Sequence, residues 1–335
     1  MRIVNLHLPA FVTTFRKLGH DVLSIGTTPD CDVRLTEPLS HKRLLDLLAA
    51  KSFQPDLVFW CDACQVPWIF GFEALPAVTI GYSIDQYLNP WHVPYSAAFD
   101  AILVAQKDYL PLFSASPTSR PARWMPLFCT PERDRDPGTP RDIPVSFVGT
   151  LDGAVNPTRR PFLSAFRKLA PLVTTTGAYA PIYGRSRIVL NQSAAGELNF
   201  RLFEAMACGA AVLTEATENG LPELFTPDVE VLTYRRGDPA SAAHTALTAL
   251  ENVPGLAAMA ACGRRKVLSL HTVTARAKEI LALARDLAAS GVPARRVAAL
   301  SKVRGEVRKA YVFLATDDSL RLPTEQRQFF LEMSR

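Results

Sequence analysis

"GELNFRLFEAMACGAAVLTE", residues 196–215, predicts a loop, a short helix and a buried strand in direct succession. Polar residues open the stretch, an apolar run at helical spacing follows, and Gly209 stands where helices often end in the left-handed conformation. The "AAVLTE" that comes next is typical of a strand buried in a parallel sheet. Glu204 is the exception, because it lies inside the helix among Phe, Met, Ala and Cys, where a carboxylate needs a partner or a ligand.

Alternating strand and helix patterns extend from this stretch in both directions. In the second half of the chain, strands are predicted at "IPVSFVG", "SRIVLNQS", "AAVLTE" and "VEVLTY", and helices at "TRRPFLSAFRKLA", "NFRLFEAMAC" and "LPELF", before helices dominate from about 238 to 310. In the first 130 residues, strands are predicted at "RIVNL", "DVLSIG", "PDLVFW", "PAVTIGYS", "DAILVAQ" and "RWMPLF", and helices at "FVTTFRKLGH" and "SHKRLLDLLAAKSF". Such alternation predicts an α/β fold, with two Rossmann-like doubly wound domains facing a cleft.

A segment rich in proline and charge separates the two series. "TPERDRDPGTPRD", residues 130–142, has no hydrophobic period, which indicates an interdomain linker. We therefore predict an N-terminal domain over 1–135, a second domain over 143–290, and C-terminal helices over 291–335 that pack back on the first domain. Ligands of doubly wound sheets bind at the carboxyl ends of the strands.

The composition is that of an ordinary globular protein. The 335 residues are 48% hydrophobic and 21% charged, and no apolar run approaches the ~18 residues of a membrane span. Six cysteines do not indicate a disulfide framework, and Cys61 and Cys64 form a lone "CDAC" that is more typical of free thiols than of a metal or redox site. "MRIVNLHLPAF" indicates a first buried strand rather than a signal peptide, so a cytoplasmic location is expected.

The net charge of +5 comes mainly from the C-terminal segment. Nine Lys/Arg and five Asp/Glu follow from residue 291, which gives nine minus five, or +4. "RRVAALSKVRGEVRK" could contact an anionic membrane surface or an acidic partner, or could be a solvated helix face. Aromatic residues do not interleave with the basic ones, so no nucleic-acid partner is expected.

The helix that carries Glu204 suits a phosphate-bearing ligand. A predicted strand ends near Asn191, and Asn199 is a good helix cap, so the amino end of the helix points at the carboxyl edge of the sheet. Free N–H groups and a positive partial charge gather at that end. Arg201 lies in the first turn and could add a forked contact to a diphosphate.

Glu204 lies one turn beyond Arg201 on the same face. The rise from Asn199 to Glu204 is about 7.5 Å, which is roughly the span from a pyrophosphate to its ribose. A carboxylate there can accept hydrogen bonds from the two ribose hydroxyls, while Phe200, Phe203 and Ala207 face the core. The alternative is an internal ion pair between Arg201 and Glu204.

Further candidates for binding a phosphate follow the first strand of the second domain. Gly149 ends that strand, where it either admits a phosphate close to the backbone or only makes a tight turn. Arg159 and Arg160 begin the next helix and could reach a diphosphate, or they could be a surface pair.

In the first domain, Asp85 follows a buried strand in "YSID" and is a candidate general base for a substrate hydroxyl. A capping role is the alternative. His92 in "PWHVPY" could contact a substrate, although most lone histidines are structural. Asp62 also follows a strand and is a weaker candidate.

These residues carry a resemblance. "GRSRIVLNQSAAGELNFRLFEAMACGAAVLTE" resembles the donor-binding segment of glycosyltransferases with the GT-B fold, and is most similar to the CgeB-like group, named for spore maturation proteins. "VSFVGTLDG" with the "TRR" after it, and "GYSIDQYLNPWHVPYSAAFDAILVAQKDYLPLF", resemble other parts of that group, so the likeness covers about 80 to 290. The matching positions of the central motif are Asn191, Asn199, Arg201, Phe203, Glu204, Ala205, Cys208 and Gly209.

The resemblance implies a glycosyltransferase of hexosyltransferase type. Its donor would be a nucleotide-diphosphate sugar, with UDP the expected nucleotide, it would need no metal or other cofactor, and Arg or Lys near Arg159 would stabilise the leaving diphosphate. A nucleotide-sugar epimerase and a non-catalytic binding or scaffold protein are the alternatives. A dinucleotide oxidoreductase is disfavoured, because neither half has G-x-G-x-x-G after its first strand.

One departure concerns the stereochemistry. Many retaining enzymes of this fold have two glutamates eight positions apart, whereas Glu197 and Glu204 are seven apart. Glu197 therefore cannot simply take the first glutamate's role, and retaining or inverting chemistry stays open.

Overall fold

The chain folds into two compact units, each built on its own parallel sheet. The computed structural model describes residues 1–114 and 121–335. One unit comprises Met1–Met125 and Ala277–Arg335, and the other comprises Pro126–Arg276. The predicted α/β class with two doubly wound sheets is confirmed.

The elements are numbered along the chain. The strands are β1 (Arg2–His7), β2 (Asp21–Gly26), β3 (Val33–Arg34), β4 (Leu57–Cys61), β5 (Val78–Ser83), β6 (Ala101–Val104), β7 (Ala122–Trp124), β8 (Ile143–Val148), β9 (Val173–Thr175), β10 (Ser186–Leu190), β11 (Ala211–Glu215) and β12 (Leu232–Tyr234). The helices are α1 (Val12–Lys17), α2 (His41–Ala50), α3 (His92–Tyr95), α4 (Leu110–Ser114), α5 (Arg159–Arg167), α6 (Ala180–Tyr183), α7 (Phe200–Ala207), α8 (Leu221–Leu224), α9 (Pro239–Glu251), α10 (Val253–Leu270), α11 (Val273–Ala289), α12 (Val292–Ala298), α13 (Leu300–Thr316) and α14 (Thr324–Met333).

The first sheet has the strand order β3-β2-β1-β4-β5-β6-β7. All its pairings are parallel, with Ile3 opposite both Val22 and Leu57. Every residue of β4 and β5 is buried, which explains why these strands are continuous apolar runs. The order reverses between β1 and β4, so the carboxyl ends of these two strands form the topological switch point.

The C-terminal helices belong to the same unit as the first sheet. Helix α13 packs on α3 and α14 and contributes Val303, Val307 and Leu314 to the core. Arg296 is fully buried, and its Nε donates to Asp100 Oδ1 at 3.0 Å. Its Nη2 also donates to the carbonyls of Leu75 and Ala77, at 3.1 and 2.6 Å. Within the basic segment, Arg296 is therefore a buried anchor to the first sheet and is not on a solvated face.

The second sheet has the strand order β12-β11-β10-β8-β9, and its pairings are also parallel. Its core is formed by Val145, Phe147, Ile188 and Leu213 with residues of α5, α9 and α10. The order reverses between β8 and β10, so the residues that follow these strands, Gly149 and Asn191, lie at the second switch point.

The units divide at 125/126 and 276/277, which differs from the predicted boundaries near 130–142 and 290. The supposed linker is packed into the second unit: Asp134 is buried, and Arg141 donates to the carbonyls of Ser186 and Cys208 at 2.9 and 3.1 Å. At the other boundary, Arg276 Nε donates to Pro126 O at 2.8 Å. Side-chain hydrogen bonds, which leave no hydrophobic period in the sequence, hold this segment in place.

Among residues 1–114 and 121–335, no helix combines the length and the apolar character needed to cross a membrane.

Candidate donor site in the second unit

Helix α7 starts where the sequence predicts, but its cap differs. Asn199 is the N-cap residue with extended backbone, yet its side chain makes no capping hydrogen bond, and its Oδ1 is buried without a partner among residues 1–114 and 121–335. Gly209 ends the helix with a φ of +80°, as predicted. Phe203 faces the core as expected, whereas Phe200, also predicted to face the core, is only half-buried and packs edge-on against Phe128, with ring centroids 5.3 Å apart.

Arg201 is fixed at the switch point by both neighbouring strands. Its Nε donates to Val148 O at 3.2 Å, and its Nη1 donates to Asn191 Oδ1 at 2.7 Å. The guanidinium also lies over the Phe147 ring, 4.4 Å from its centroid. A Cβ added to Gly149 would be 2.6 Å from Arg201 Nη2, so the glycine leaves room for this guanidinium. The structure therefore brings Gly149, Asn191 and Arg201 together.

Glu204 pairs with a residue other than the one considered in the sequence. Its carboxylate is 3.1 Å from Arg133 Nη2, and within residues 121–335 it forms no ion pair with Arg201. The side chain is only 12% exposed. Burial, together with the charge of Asp134, raises the pKa of Glu204 to about 7, although the Tyr179 hydroxyl, Arg133 and Arg201 act in the opposite direction. Near neutral pH, Glu204 therefore exists in both protonation states.

Arg133 is itself held by two residues that the sequence did not single out. Buried Asp134 accepts from Arg133 Nε at 2.8 Å, from the Tyr179 hydroxyl at 2.7 Å and from the N–H of Thr130 at 2.7 Å. The Arg133 guanidinium lies 5.3 Å from the centroid of the Tyr179 ring. Arg133 and Asp134 fall in the predicted linker, so only the alternation of acids and arginines there could have indicated them.

The two arginines that begin α5 have different partners. Arg159 is half-buried and donates from Nε to Gln192 Oε1 at 3.0 Å and from Nη1 to Thr150 O at 3.0 Å, next to the switch point. Arg160 is exposed and pairs with Asp152. Of the predicted pair, Arg159 thus lies beside the strand ends, whereas Arg160 is engaged on the surface.

The loop after β10 is built on two buried carboxylates. Glu197 accepts from the N–H groups of Ala194 and Ala195 at 2.9 and 2.6 Å, and Glu215 accepts from the N–H of Ser193 at 3.1 Å. These acids shape the loop through its backbone. Beside it lies a cavity of about 670 Å³, a size typical of small-molecule sites. Its lining includes Thr158, Gln192, Ser193, Glu215 and Arg236.

The predicted first-unit residues lie at the carboxyl edge of the first sheet. Asp62 is buried and accepts from the N–H groups of Cys64, Ile84 and Asp85 at 2.8, 3.1 and 2.8 Å. The Asp62 carboxylate therefore ties two loops together. The Asp85 side chain is half-buried, and its carboxylate accepts from the Tyr87 hydroxyl at 3.2 Å.

His92 is enclosed in this edge. Its side chain is 1% exposed, its Nδ1 lies 2.9 Å from Ser83 Oγ, and its Nε2 lies 3.8 Å from Asp62 Oδ1. Burial lowers the pKa of His92 even though Asp62 acts to raise it, so the ring is neutral at neutral pH. Among residues 1–114 and 121–335, no group of three or more His, Cys, Asp or Glu side chains could hold a metal ion.

Comparisons with known proteins agree with this architecture. Residues 161–282 match a family model described as Glycosyl transferase-like. No curated protein matches the sequence. A crystal structure of a glycosyltransferase from Rickettsia africae has a TM-score of 0.64 at 10% identity, with 85% of this chain and 98% of that one covered. Sucrose-phosphate synthase from Thermosynechococcus elongatus has a TM-score of 0.61 at 14% identity, covering 87% of this chain and 100% of that one.

A third structure, Anabaena HepE in complex with UDP-glucose, has a TM-score of 0.60 at 14% identity, and 84% of this chain and 99% of that one are covered. The fold is therefore that of GT-B glycosyltransferases, and most of the residues that match the Glycosyl transferase-like model lie in the second unit. The CgeB-like assignment stays a prediction.

Proposed function

We propose that this protein is a glycosyltransferase of hexosyltransferase type that takes its sugar from a nucleotide-diphosphate donor, with UDP as the nucleotide. One observation carries the proposal: α7 begins at the switch point of the second sheet, with Arg201 fixed between two strand ends and the acid Glu204 one turn further on. The match of residues 161–282 to the Glycosyl transferase-like model and the UDP-glucose bound by HepE support it.

Arg201 would act on the diphosphate. Its Nε and Nη1 are fixed by protein oxygens, so the guanidinium is oriented before any ligand arrives. Negative charge grows on the leaving diphosphate as the glycosidic bond breaks, and a preorganised cation stabilises that charge more than it stabilises the bound donor. Arg159 beside Gln192 and the free N–H groups at the start of α7 would add to this positive site.

Glu204 would bind the ribose. Arg133 takes one oxygen of the carboxylate, and a carboxylate offers about four acceptor positions, so acceptors remain for two ribose hydroxyls. Asn199, whose Oδ1 is buried without a partner, offers a further acceptor at the start of the same helix. In this arrangement the donor is held by the protein alone, without a metal.

The acceptor hydroxyl would lose its proton to Asp85 if the reaction inverts the anomeric centre. His92, enclosed beside Asp62, would hold the carboxyl edge of the first sheet in place and would not contact the sugar. Both assignments are part of the proposal.

Calorimetry with a panel of nucleotide sugars tests the proposal. We expect one UDP-sugar to bind, and Glu204→Gln to weaken its binding by about 10- to 150-fold, as loss of hydrogen bonds to a charged group predicts. Arg160→Ala is the matched control, because Arg160 pairs on the surface with Asp152. If none of the panel binds the folded protein, or if Glu204→Gln binds the donor as tightly as the parent chain, the proposal is wrong.

A further inference from the structure

A second cavity lies at the opposite edge of the second sheet from the candidate donor site. It has a volume of about 560 Å³. Arg141 precedes β8, Arg187 is near the start of β10 and Gly209 follows α7, so these lining residues mark the amino ends of the strands. The donor-site residues Gly149 and Asn191 follow the carboxyl ends of the same strands. The two sites are therefore separate.

The polar part of this cavity is strongly cationic. Four arginines and one acid, Asp136, line it, and Asp136 pairs with Arg141 at 3.1 Å. The other three arginines have neutral partners: Arg187 Nε donates to Arg141 O at 3.1 Å, Arg264 Nε donates to Ala207 O at 3.2 Å, and Arg265 lies 3.0 Å from the Cys262 sulfur. No ion pair joins any of these three to a carboxylate within residues 121–335.

Each of these guanidinium groups has donors to spare. A guanidinium carries five N–H groups, and within residues 121–335 Arg187, Arg264 and Arg265 each make one polar contact. Forked donors of this kind suit phosphate, sulfate or carboxylate oxygens. The cavity therefore offers a head-group site for an anion.

The apolar part of the lining is formed by the first half of α10, and Arg264 and Arg265 lie further along the same helix. Val253 is 49% exposed, and Leu256, Ala257, Ala260 and Ala261 continue the wall along the helix. Small side chains and an exposed valine leave space for a hydrocarbon or aromatic group. A ligand that satisfies both the arginines and the apolar residues is an anion with an apolar body.

We propose that this cavity binds an anionic amphiphile, with its phosphate or carboxylate on Arg187 and Arg264 and its apolar body against α10. The volume is within the range of small-molecule sites. Such a ligand is either a free metabolite or the head of an acidic lipid, and the chemistry of recognition is the same for both.

Titration of the full chain with monomeric octyl phosphate tests the proposal, with octylammonium and inorganic phosphate as reference ligands. We expect octyl phosphate to bind with one-to-one stoichiometry and octylammonium not to bind. The double variant Arg187→Ala with Arg264→Ala should weaken octyl phosphate by about 10- to 100-fold. Inorganic phosphate should bind far more weakly, because it lacks the apolar body.

Two variants of one helix separate this site from general surface charge. Ala257→Glu places a carboxylate in the cavity and should abolish binding, whereas Ala258→Glu, exposed on the same helix and outside the cavity lining, should leave it unchanged. Thermal melts establish that each variant is folded. Equal binding of octyl phosphate and octylammonium, or unchanged binding in folded Arg187→Ala with Arg264→Ala, would overturn the proposal.

Binding to lipid vesicles distinguishes the two sources of the ligand, a free metabolite and the head of an acidic lipid. Sedimentation with phosphatidylglycerol vesicles that is lost in Ala257→Glu but kept in Ala258→Glu identifies a lipid head group, and binding of the monomer without vesicle binding identifies a soluble ligand. None of these measurements uses a nucleotide sugar, so their outcome is independent of the proposed transferase function.

Discussion

At the carboxyl edge of the first sheet, His7, Asp62 and His92 are enclosed, whereas at the carboxyl edge of the second sheet Arg201 and Glu204 are partly exposed. Taken as whole residues, His7, Asp62 and His92 are each 2% exposed, and in the described part of the chain Nε2 of both histidines is buried without a hydrogen-bond partner. Arg201 and Glu204 are both half-buried, with donors or acceptors left for a ligand. The same doubly wound architecture has produced a closed polar edge in one unit and an open one in the other.

The difference follows from what surrounds each switch point. Trp60 and Trp91 pack edge-on against His92, with ring centroids 5.3 and 4.2 Å apart, and leave no space beside it. At Arg201, the Phe147 ring lies against the guanidinium, and Gly149 leaves room for Nη2. Chemistry that needs contact with a charged ligand is therefore expected at the second edge, and at the first edge only through half-buried Asp85.

The largest expected effect tests whether Asp85 is the reacting group of the first edge. Asp85→Asn keeps the shape but removes the base, so we expect turnover to fall by about 100- to 10,000-fold. Donor affinity should be unchanged, because the proposed donor residues all belong to the other unit. Steady-state kinetics with the identified donor, together with calorimetry, measure both quantities.

His92→Gln is the comparison variant for the enclosed edge, and it should change the melting temperature more than the turnover. Normal turnover of Asp85→Asn, or a product that retains the donor's anomeric configuration, would show that Asp85 is not the base. If folded His92→Gln lost more turnover than Asp85→Asn, the enclosed His92 would matter more for the reaction than the half-buried Asp85, and the comparison would be reversed.

The second effect concerns the open edge. Arg201→Ala should lower turnover by about 100- to 1,000-fold, the range for removal of one preorganised donor to a developing anion. Donor binding should fall by less, because the charge on the diphosphate grows only as the bond breaks. Arg201→Lys should not restore turnover, since an ammonium cannot bond to Val148 O, Asn191 and a phosphate in the same plane. Equal losses in turnover and in donor affinity would mean that Arg201 binds the donor in its ground state and does not stabilise the transition state further.

The third effect is on stability and concerns Glu204. Because its folded pKa of about 7 is above the usual 4.5, the native state binds more protons than the unfolded state in this window, and the contribution of Glu204 falls as pH rises through it. The free energy of unfolding of Glu204→Gln, relative to that of the parent chain, should therefore rise by about 1–3 kcal/mol between pH 4.5 and pH 8, from ~1.4 kcal/mol per pH unit. Urea unfolding at several pH values measures this change.

Glu230→Gln is a control of opposite sign. Although burial opposes it, hydrogen bonds from Lys266 and the Thr226 N–H lower the pKa of Glu230. Its contribution is present above the unfolded pKa and lost as pH falls, so Glu230→Gln should be destabilised most at pH 8. If the Glu204→Gln difference does not grow between pH 4.5 and pH 8, Glu204 is not the buried, pKa-raised acid described above.

The sequence predicts the long buried strands and two short edge strands, β7 and β12, but misses the other two edge strands, β3 and β9. Both central strands of the second switch point appear as apolar runs, whereas β3 and β9 have two and three residues and are partly exposed. The helix end at Gly209 was predictable because a positive φ favours glycine.

The partners of the site were not predictable in the same way. Arg133 and Glu204 are 71 residues apart, and Arg296 and Asp100 are 196 apart. Ion pairs of that separation depend on how the elements pack, which leaves no periodic pattern in the sequence. Asn199 shows the opposite case: its residue type predicted a cap, yet its side chain makes no capping hydrogen bond.

The smallest effect tests the glycine that keeps the second edge open. In Gly149→Ala the added Cβ meets Arg201 Nη2, the end of a flexible side chain, so the guanidinium must shift while the backbone stays in place. We expect donor affinity to fall by about 3- to 10-fold, which corresponds to roughly 0.7–1.4 kcal/mol. Gly305→Ala, an exposed helix position with no atom near the added Cβ, is the control, and it should leave donor affinity unchanged and raise stability slightly. If Gly149→Ala binds donor as tightly as the parent chain, the position of Arg201 does not depend on this glycine, and the open edge has another cause.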